Sequence, residues 1–292
     1  MGKRTIPQKI FNVFNILILS AASLACLYPI LYVVFASFSD STELLKHTGL
    51  LFKPLEPNIL AYKEVVKNPM IVSGYINSII VLVAGTFLSV VLTSLGAYFL
   101  TRKNVMMKKA VLILVMIPFF FSGGMIPTYL VVRGLGFYDT LLALFIPFLV
   151  STYNMIIMRM SFESIPDSIE EAAIIDGAND FRIFVQIMLP LSKPIIAVMI
   201  LYYGVGYWNN WFNAMIYLQD RAKFPLQLVL REILIQSDTD AMAGAAAGAE
   251  TFAIGESIKY AVIVVATVPI LCIYPFLQKY FVKGIMIGAV KG

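Results

Sequence analysis

Six mostly apolar stretches, each about twenty residues or longer, divide this chain: 11–38, 71–100, 110–132, 140–160, 195–218 and 260–281. A helix needs about 20 such residues to cross the ~30 Å hydrocarbon layer of a bilayer. Backbone groups in that layer find no water, so each stretch must satisfy its own hydrogen bonds, which a helix does and an open strand does not. No Asp, Glu, Lys or Arg lies in the interior of any of the six. Composition agrees, with 60% hydrophobic and 13% charged residues. The expected fold is an all-α membrane protein with six transmembrane helices. It reads as one membrane domain over 1–292, with a core bundle over about 71–281, a polar segment at 163–194 and a long external segment at 219–259. Gly or Pro interrupts the third and fifth stretches, which blurs their ends.

Charge sets the orientation. With both termini in the cytoplasm, the inside segments hold 13 of the 22 basic residues and six of the 17 acidic ones. Short cytoplasmic loops are enriched in Lys and Arg, and the cluster at 101–109, TRKNVMMKK, is the clearest instance. The pI near 9.0 is thus accounted for by anionic lipid headgroups. No basic-aromatic strip indicates nucleic acid.

This orientation puts the polar island 163–194 in the cytoplasm. Its local chemistry predicts two short helices joined by a hinge. Pro166 precedes the first, and Ser168 with Glu171 three residues on reads as a capping box. Ile169, Ala172 and Ala173 share a face at helical spacing, and the small alanines permit close approach of a partner. Gly177 supplies the residue able to turn left-handed past a helix end. Asn179 or Asp180 can cap the second helix, whose apolar stripe is Phe181, Phe184, Val185 and Met188. Pro190 and Pro194 are expected to break it.

Glu171-Ala172-Ala173, Gly177-Ala178, Ile187 and Leu189-Pro190 resemble the EAA motif of permease subunits in binding-protein-dependent ABC importers. The fuller string, EEAAIIDGA through LPLSKP, is similar to the carbohydrate-type, maltose-transporter-like permeases. Further likeness lies in Gly124-Met125-Ile126-Pro127-Thr128-Tyr129, in Trp208-Asn209-Asn210-Trp211-Phe212 and in the end of the chain from Tyr280 to Gly292. It extends from about Leu27 onward and is nearest the branch importing complex polysaccharides and uronate oligosaccharides.

The resemblance implies a type I ABC importer permease fold with a cytoplasmic coupling helix. The coupling residues carried over are Glu170, Glu171, Ala172, Ala173, Asp176, Gly177, Ala178, Phe181, Arg182, Phe184, Leu189 and Pro190. Glu171 would receive a charge-assisted bond from the ATPase, Asp176 and Arg182 would add electrostatic matching, and Phe181 and Phe184 would anchor the second helix. The implied partners are a homologous second permease, two ABC ATPase subunits, an extracytoplasmic solute-binding protein, the lipid bilayer and an oligosaccharide substrate, acidic (uronate or pectin-type) if the branch resemblance carries over. ATP and Mg would be bound by the ATPase subunits, with no cofactor on this chain. The implied location is a bacterial cytoplasmic membrane, multi-pass. The external segment 219–259, with a flexible alanine- and glycine-rich run at 241–249, is the candidate contact for the binding protein.

The chain itself offers little catalytic chemistry. It has one His, His47, in the first external segment, and no GKS or GKT phosphate loop, which excludes a multi-His metal site, a His-based triad inside the membrane and P-loop hydrolysis. Cys26 and Cys272 sit in separate apolar stretches and imply no disulfide or metal site. A secondary carrier would need buried ionisable groups. A membrane enzyme or scaffold would need a catalytic cluster at a helix end. The fifth stretch offers neutral polar and aromatic groups instead: Tyr203, Tyr207, Trp208, Asn209, Asn210, Trp211 and Asn213. Aromatic faces cover sugar C–H surfaces and amides pair with hydroxyls, so these residues, with Gly124 and Tyr129 from the third stretch, are candidates for a sugar path. An interfacial aromatic belt with asparagines bonded to a neighbouring helix accounts for them equally well. The small polar residues of the second stretch, Asn77, Ser78, Thr86, Ser89, Thr93 and Ser94, read as helix-packing positions.

Overall fold

The computed structural model describes residues 6–102, 105–243, 257–273 and 275. Among the described residues every regular element is helical. In chain order these are α1 (Ile6–Ser37), α2 (Ser41–Lys46), α3 (Leu60–Lys67), α4 (Pro69–Thr101), α5 (Lys108–Phe120), α6 (Met125–Gly134), α7 (Thr152–Glu163), α8 (Asp167–Ile175), α9 (Asp180–Leu191), α10 (Lys193–Trp208), α11 (Trp211–Tyr217), α12 (Leu226–Ala243) and α13 (Ser257–Ile273). Two 3-10 turns, Leu141–Leu144 and Ile146–Phe148, precede α7.

Only two of these helices are both long and apolar enough to cross a bilayer without interruption, Pro7–Ser37 and Pro69–Thr101. Three further apolar stretches are bent pairs: α5 with α6 at 120°, the 3-10 turns with α7 at 50°, and α9 with α10 at 83°. The third stretch is therefore not the single rod that its length predicts. Gly123 and Gly124 fall in its break, and Gly124 takes φ +82°, which a residue without Cβ adopts freely. The fifth stretch is broken too, but at Asn209 and Asn210 rather than at a Gly or Pro. There the asparagine side chains take over backbone carbonyls. Nδ2 of Asn209 donates to Val205 O at 3.0 Å and Nδ2 of Asn210 to Leu144 O at 3.1 Å. In a medium without water, an amide side chain that caps a loose carbonyl makes such a break tolerable.

The chain divides into two compact units. The first comprises residues 1–69 and 230–268. In it, Ala36, Leu44 and Leu51 form a buried cluster lined by Tyr32, Phe35, Leu55 and Tyr260. Asp40 caps α2 by accepting from the N–H of Thr42 at 2.9 Å and of Glu43 at 3.2 Å. The segment between the first two apolar stretches thus folds locally. The expected flexible run at 241–249 falls mostly outside the described residues.

The second unit, residues 70–229 and 269–292, holds the candidate site. Its axis is α4, whose buried face is built from small residues: Gly74, Ser78, Gly85, Ser89, Thr93 and Ala97. At Gly85 an added Cβ would come within 2.9 Å of the Tyr207 ring and 3.0 Å of Phe145 Cβ, so only glycine lets these helices approach so closely. The packing role expected of the small polar residues is seen here. Ser89 Oγ pairs with Tyr207 Oη at 2.8 Å, Thr93 Oγ1 with Tyr203 Oη at 2.7 Å, and Ser78 Oγ accepts from Leu226 N–H at 2.8 Å. Asn77 Nδ2 donates to Ala222 O at 2.8 Å. Buried hydroxyls that find partners across helices add specificity where apolar burial alone does not distinguish one face from another.

Candidate functional site

The island 163–194 folds as an elbow. Helix α8 starts two residues earlier than the capping-box reading requires. Pro166 is its N-cap residue and no side chain caps it, so Ser168 lies inside the first turn and the expected box does not form. Proline sets the entry φ without needing a donor, which makes the side-chain cap dispensable. The far end follows expectation. Gly177 takes φ +77°, the N–H of Ala178 donates to Ala173 O at 2.9 Å, and that of Gly177 donates to Ile174 O at 3.0 Å. These two bonds are the Schellman arrangement, which satisfies carbonyls a helix end otherwise leaves open. Of the two candidate caps for the next helix, Asn179 is the one used: its Oδ1 accepts from Arg182 N–H at 2.8 Å.

The second helix differs from the reading in two respects. It continues through Pro190 to Leu191 because a π-helical turn over Phe184–Met188 widens the backbone ahead of the proline. The break falls at Ser192, with Pro194 in the first turn of α10. The four-residue stripe is also split between two faces. Phe184 and Met188 are buried together with Ile183, whereas Phe181 is 72% exposed. Phe184 lies against Tyr98 of α4, ring centroids 5.0 Å apart.

The elbow presents apolar groups outward. Ile175 is 85% exposed and Ile174, Ile169 and Phe181 also face outward, while Glu171, Ala172, Asp176 and Gly177 are exposed beside them. Ala173 is buried, Ala178 and Leu189 are half-buried, and Pro190 is exposed. Arg182 Nε donates to Gln186 Oε1 on the same helix at 2.9 Å. A solvent-side cluster of large apolar residues in a polar segment marks an interaction surface.

The sequence reading counted Arg102 only as a cytoplasmic positive charge. In the structure its guanidinium donates to Glu170 Oε1 from α8 and, at 2.5 Å, to Asp180 Oδ1 from α9. It also lies over the Tyr98 ring, 5.3 Å from its centroid, and the Tyr98 hydroxyl donates to Asp180 O at 3.2 Å. These partners are separated from Arg102 by 68 and 78 positions, and no local pattern marks them as a set.

The candidate path residues fall into two groups. Tyr203, Tyr207 and Trp208 are buried. The Tyr203 hydroxyl also accepts from Ser151 N–H at 3.0 Å, and that of Tyr207 donates to Phe148 O at 3.3 Å. Both are therefore committed to helix contacts as well as facing one another at 6.5 Å. Trp208 packs edge-on against Tyr75 at 6.1 Å, and its buried indole N–H has no hydrogen-bond partner among the described residues. It lines an apolar groove of about 630 Å3 with α4, α10 and α13 residues. Asn209 and Trp211 are exposed and Asn210 and Asn213 half-buried. Tyr129 stacks on Tyr217 at 6.2 Å, and Gly124 is exposed in the break between α5 and α6.

One further cluster was not anticipated. Asp139, at φ +55°, accepts from Lys223 Nζ at 2.9 Å and from the N–H groups of Gln219 and Asp220, each at 3.0 Å. The Lys223 bond, followed by these two amides, holds the Asp139 carboxyl at about 2. A depressed carboxyl stabilises the fold at pH above its ordinary value near 4, and this contribution is lost as pH falls through about 2. Asp139→Asn should therefore lower the melting temperature at pH 7 by about 2–4 °C. The difference from wild type should shrink between about pH 4 and pH 2 in thermal unfolding scans. A gap independent of pH would exclude an ionic clasp.

With this geometry in hand, comparison with known proteins places the chain. Residues 1–287 match the family described as binding-protein-dependent transport system inner membrane component. Protein LplC of Bacillus subtilis is 43% identical over 284 residues, covering 97% of this chain and 96% of the relative. The polygalacturonan/rhamnogalacturonan transport system permease protein YtcP of the same organism is 42% identical over 275 residues, covering 92% and 94%. A chain in the crystal structure of a bacterial ABC transporter involved in the import of the acidic polysaccharide alginate superposes with a TM-score of 0.87 at 30% identity, covering 96% of this chain and all of that one. The chain thus belongs to the binding-protein-dependent transport system inner membrane component family, as a non-catalytic ABC importer permease of the all-α type I fold.

Proposed function

We propose that this protein forms one half of the translocation pathway of an importer for an acidic oligosaccharide of the uronate or pectin type. The elbow at 167–191 would couple that pathway to ATP hydrolysis. The observation that carries the coupling half is the outward apolar cluster of Ile174, Ile175 and Phe181 on two helices locked at Gly177. The substrate class is supported by the substrates for which two relatives are named, polygalacturonan or rhamnogalacturonan for one and alginate for the other.

In this reading the chain spans a bacterial cytoplasmic membrane six times with both termini in the cytoplasm. It pairs with a homologous permease, two ATPase subunits that bind ATP and Mg, and an extracytoplasmic binding protein that contacts 219–259. Glu170, Glu171, Ala172, Ala173, Asp176, Gly177, Ala178, Phe181, Arg182, Phe184, Leu189 and Pro190 make up the coupling element. Phe184 anchors it inward and Phe181 meets the ATPase. The sugar path runs along Trp208, Asn209, Asn210, Trp211 and Asn213, with Tyr203 and Tyr207 as its supporting wall and Gly124 and Tyr129 at the facing break. The unpartnered indole N–H of Trp208 supports a polar visitor at that height, because a buried donor left unpaired is costly. ATP binding closes the ATPase pair, the docked elbow moves with it, and the bundle turns outward to receive sugar from the binding protein.

The test is reconstitution. Co-expressed with its partner permease and ATPase subunits, the tagged chain should retain a stoichiometric nucleotide-binding subunit through purification. Vesicles holding the complex and the binding protein should accumulate trigalacturonate only with ATP inside. Uptake by the purified chain alone would overturn the proposal.

A further inference from the structure

Among the described residues of the second unit, Arg102 ties α4 to both arms of the elbow at once. Its guanidinium bonds Glu170 on α8 and Asp180 on α9. It is only 17% exposed, and its planar fork holds two carboxylates in fixed directions, a geometry that the point charge of a lysine does not impose. The Tyr98 ring beneath it and the Tyr98 hydroxyl on Asp180 O close the same triangle from one turn earlier on α4. Phe184 completes it from α9. Lys108 Nζ donates to Arg102 O at 3.1 Å, which fixes the end of α4 from the following loop.

The other end of α4 matters as much. Five and nine residues above Tyr98, Thr93 and Ser89 are bonded to Tyr203 and Tyr207 of α10. An unbroken chain of hydrogen bonds and ion pairs therefore runs from the elbow through Arg102 and α4 to the helix that carries Trp208, Asn209 and Asn210. Coupling between distant sites needs such a rigid, contiguous element whose position both ends bias.

We infer that Arg102 is a positioning residue for coupling: it makes the elbow and α4 move as one body, so that displacement of α8 by a docked ATPase turns α10. The inference rests on the elbow being the ATPase contact. Simple support of the local fold is the competing role, and a distance measurement separates the two. Nitroxides at Ser168 on α8 and Leu95 on α4 are placed in the full complex, with Cys26 and Cys272 replaced by Ser, and their separation is read by pulsed electron resonance. In wild type the distribution is narrow and the same without nucleotide and with ATP plus vanadate. In Arg102→Ala it broadens, and its mean shifts by several ångströms on adding nucleotide, with the ATPase still bound. Glu170→Gln and Asp180→Asn, which preserve shape and remove one carboxylate charge each, give intermediate widths.

If the distribution in Arg102→Ala stays narrow and nucleotide-independent, the inference is overturned. It is also overturned if that variant loses the ATPase, since Arg102 then serves docking rather than transmission. Failure of the underlying reading gives a different sign: the ATPase would remain bound to I175E/F181E, whatever the spin labels show.

Discussion

Gly177→Val should remove most of the ATPase subunit from the purified complex, while Gly177→Asn should retain it. The reason is in the backbone alone. At φ +77° an added Cβ at this position meets no heavy atom within 4 Å, so no steric collision with the rest of the protein contributes. What a side chain meets is its own main chain, at about 1–2 kcal/mol for an L-residue in the left-handed region, more for a β-branched one. Asparagine visits this region readily. If the elbow relaxes to avoid the strain, the bonds from Gly177 and Ala178 to Ile174 and Ala173 are lost and the angle between α8 and α9 is no longer set. A population penalty of about 2 kcal/mol lowers apparent affinity roughly thirtyfold. Quantitative co-purification at fixed subunit concentration reads this directly. Full occupancy in Gly177→Val would show that the left-handed turn does not govern docking.

The second large effect is expected from I175E/F181E. Both side chains stand out from the elbow and touch little of the chain itself, so the permease should fold, insert and melt as wild type does. In a docked interface, however, two carboxylates would replace apolar contacts, each worth about 2 kcal/mol or more at a central position. ATPase affinity should fall at least a hundredfold. Phe184→Ala forms the contrast. That ring is buried against Tyr98, and removing it should cost about 3–5 kcal/mol of fold stability, lowering the melting temperature before any effect on docking is seen. Equal behaviour of the Phe181 and Phe184 variants would mean that the two rings do not face opposite ways.

That opposition between Phe181 and Phe184 illustrates what was legible beforehand. Both residues belong to one helical stripe by spacing, and spacing alone gave them one role. The π-helical turn beginning at Phe184 accommodates Pro190, which has no donor for the carbonyl four positions before it, and spacing does not announce such a turn. The apolar stretches were equally legible as membrane segments but not as shapes. Three of them are bent by 50–120°, at a glycine pair in one case and at Ser192 in another, and the fifth is broken again at Asn209 and Asn210, because a few such residues end a helix without lowering hydropathy much.

Sequence by itself determined what is closed within a few residues: the helical state of the apolar stretches, the left-handed turn at Gly177, a cap at Asn179 or its neighbour Asp180, and the close-packing face of α4. Hydrogen-bond rings of that kind involve neighbours in the chain, so residue type and spacing suffice to specify them. Only the tertiary structure decided that Arg102 meets Glu170, that Asp139 meets Lys223 and that Ser89 meets Tyr207, pairs 68, 84 and 118 positions apart. Those pairings depend on the rotation and tilt of helices that are apolar on nearly every side. Against a lipid surroundings no hydrophobic stripe selects the rotation, and small residues with a few buried polar contacts do so instead.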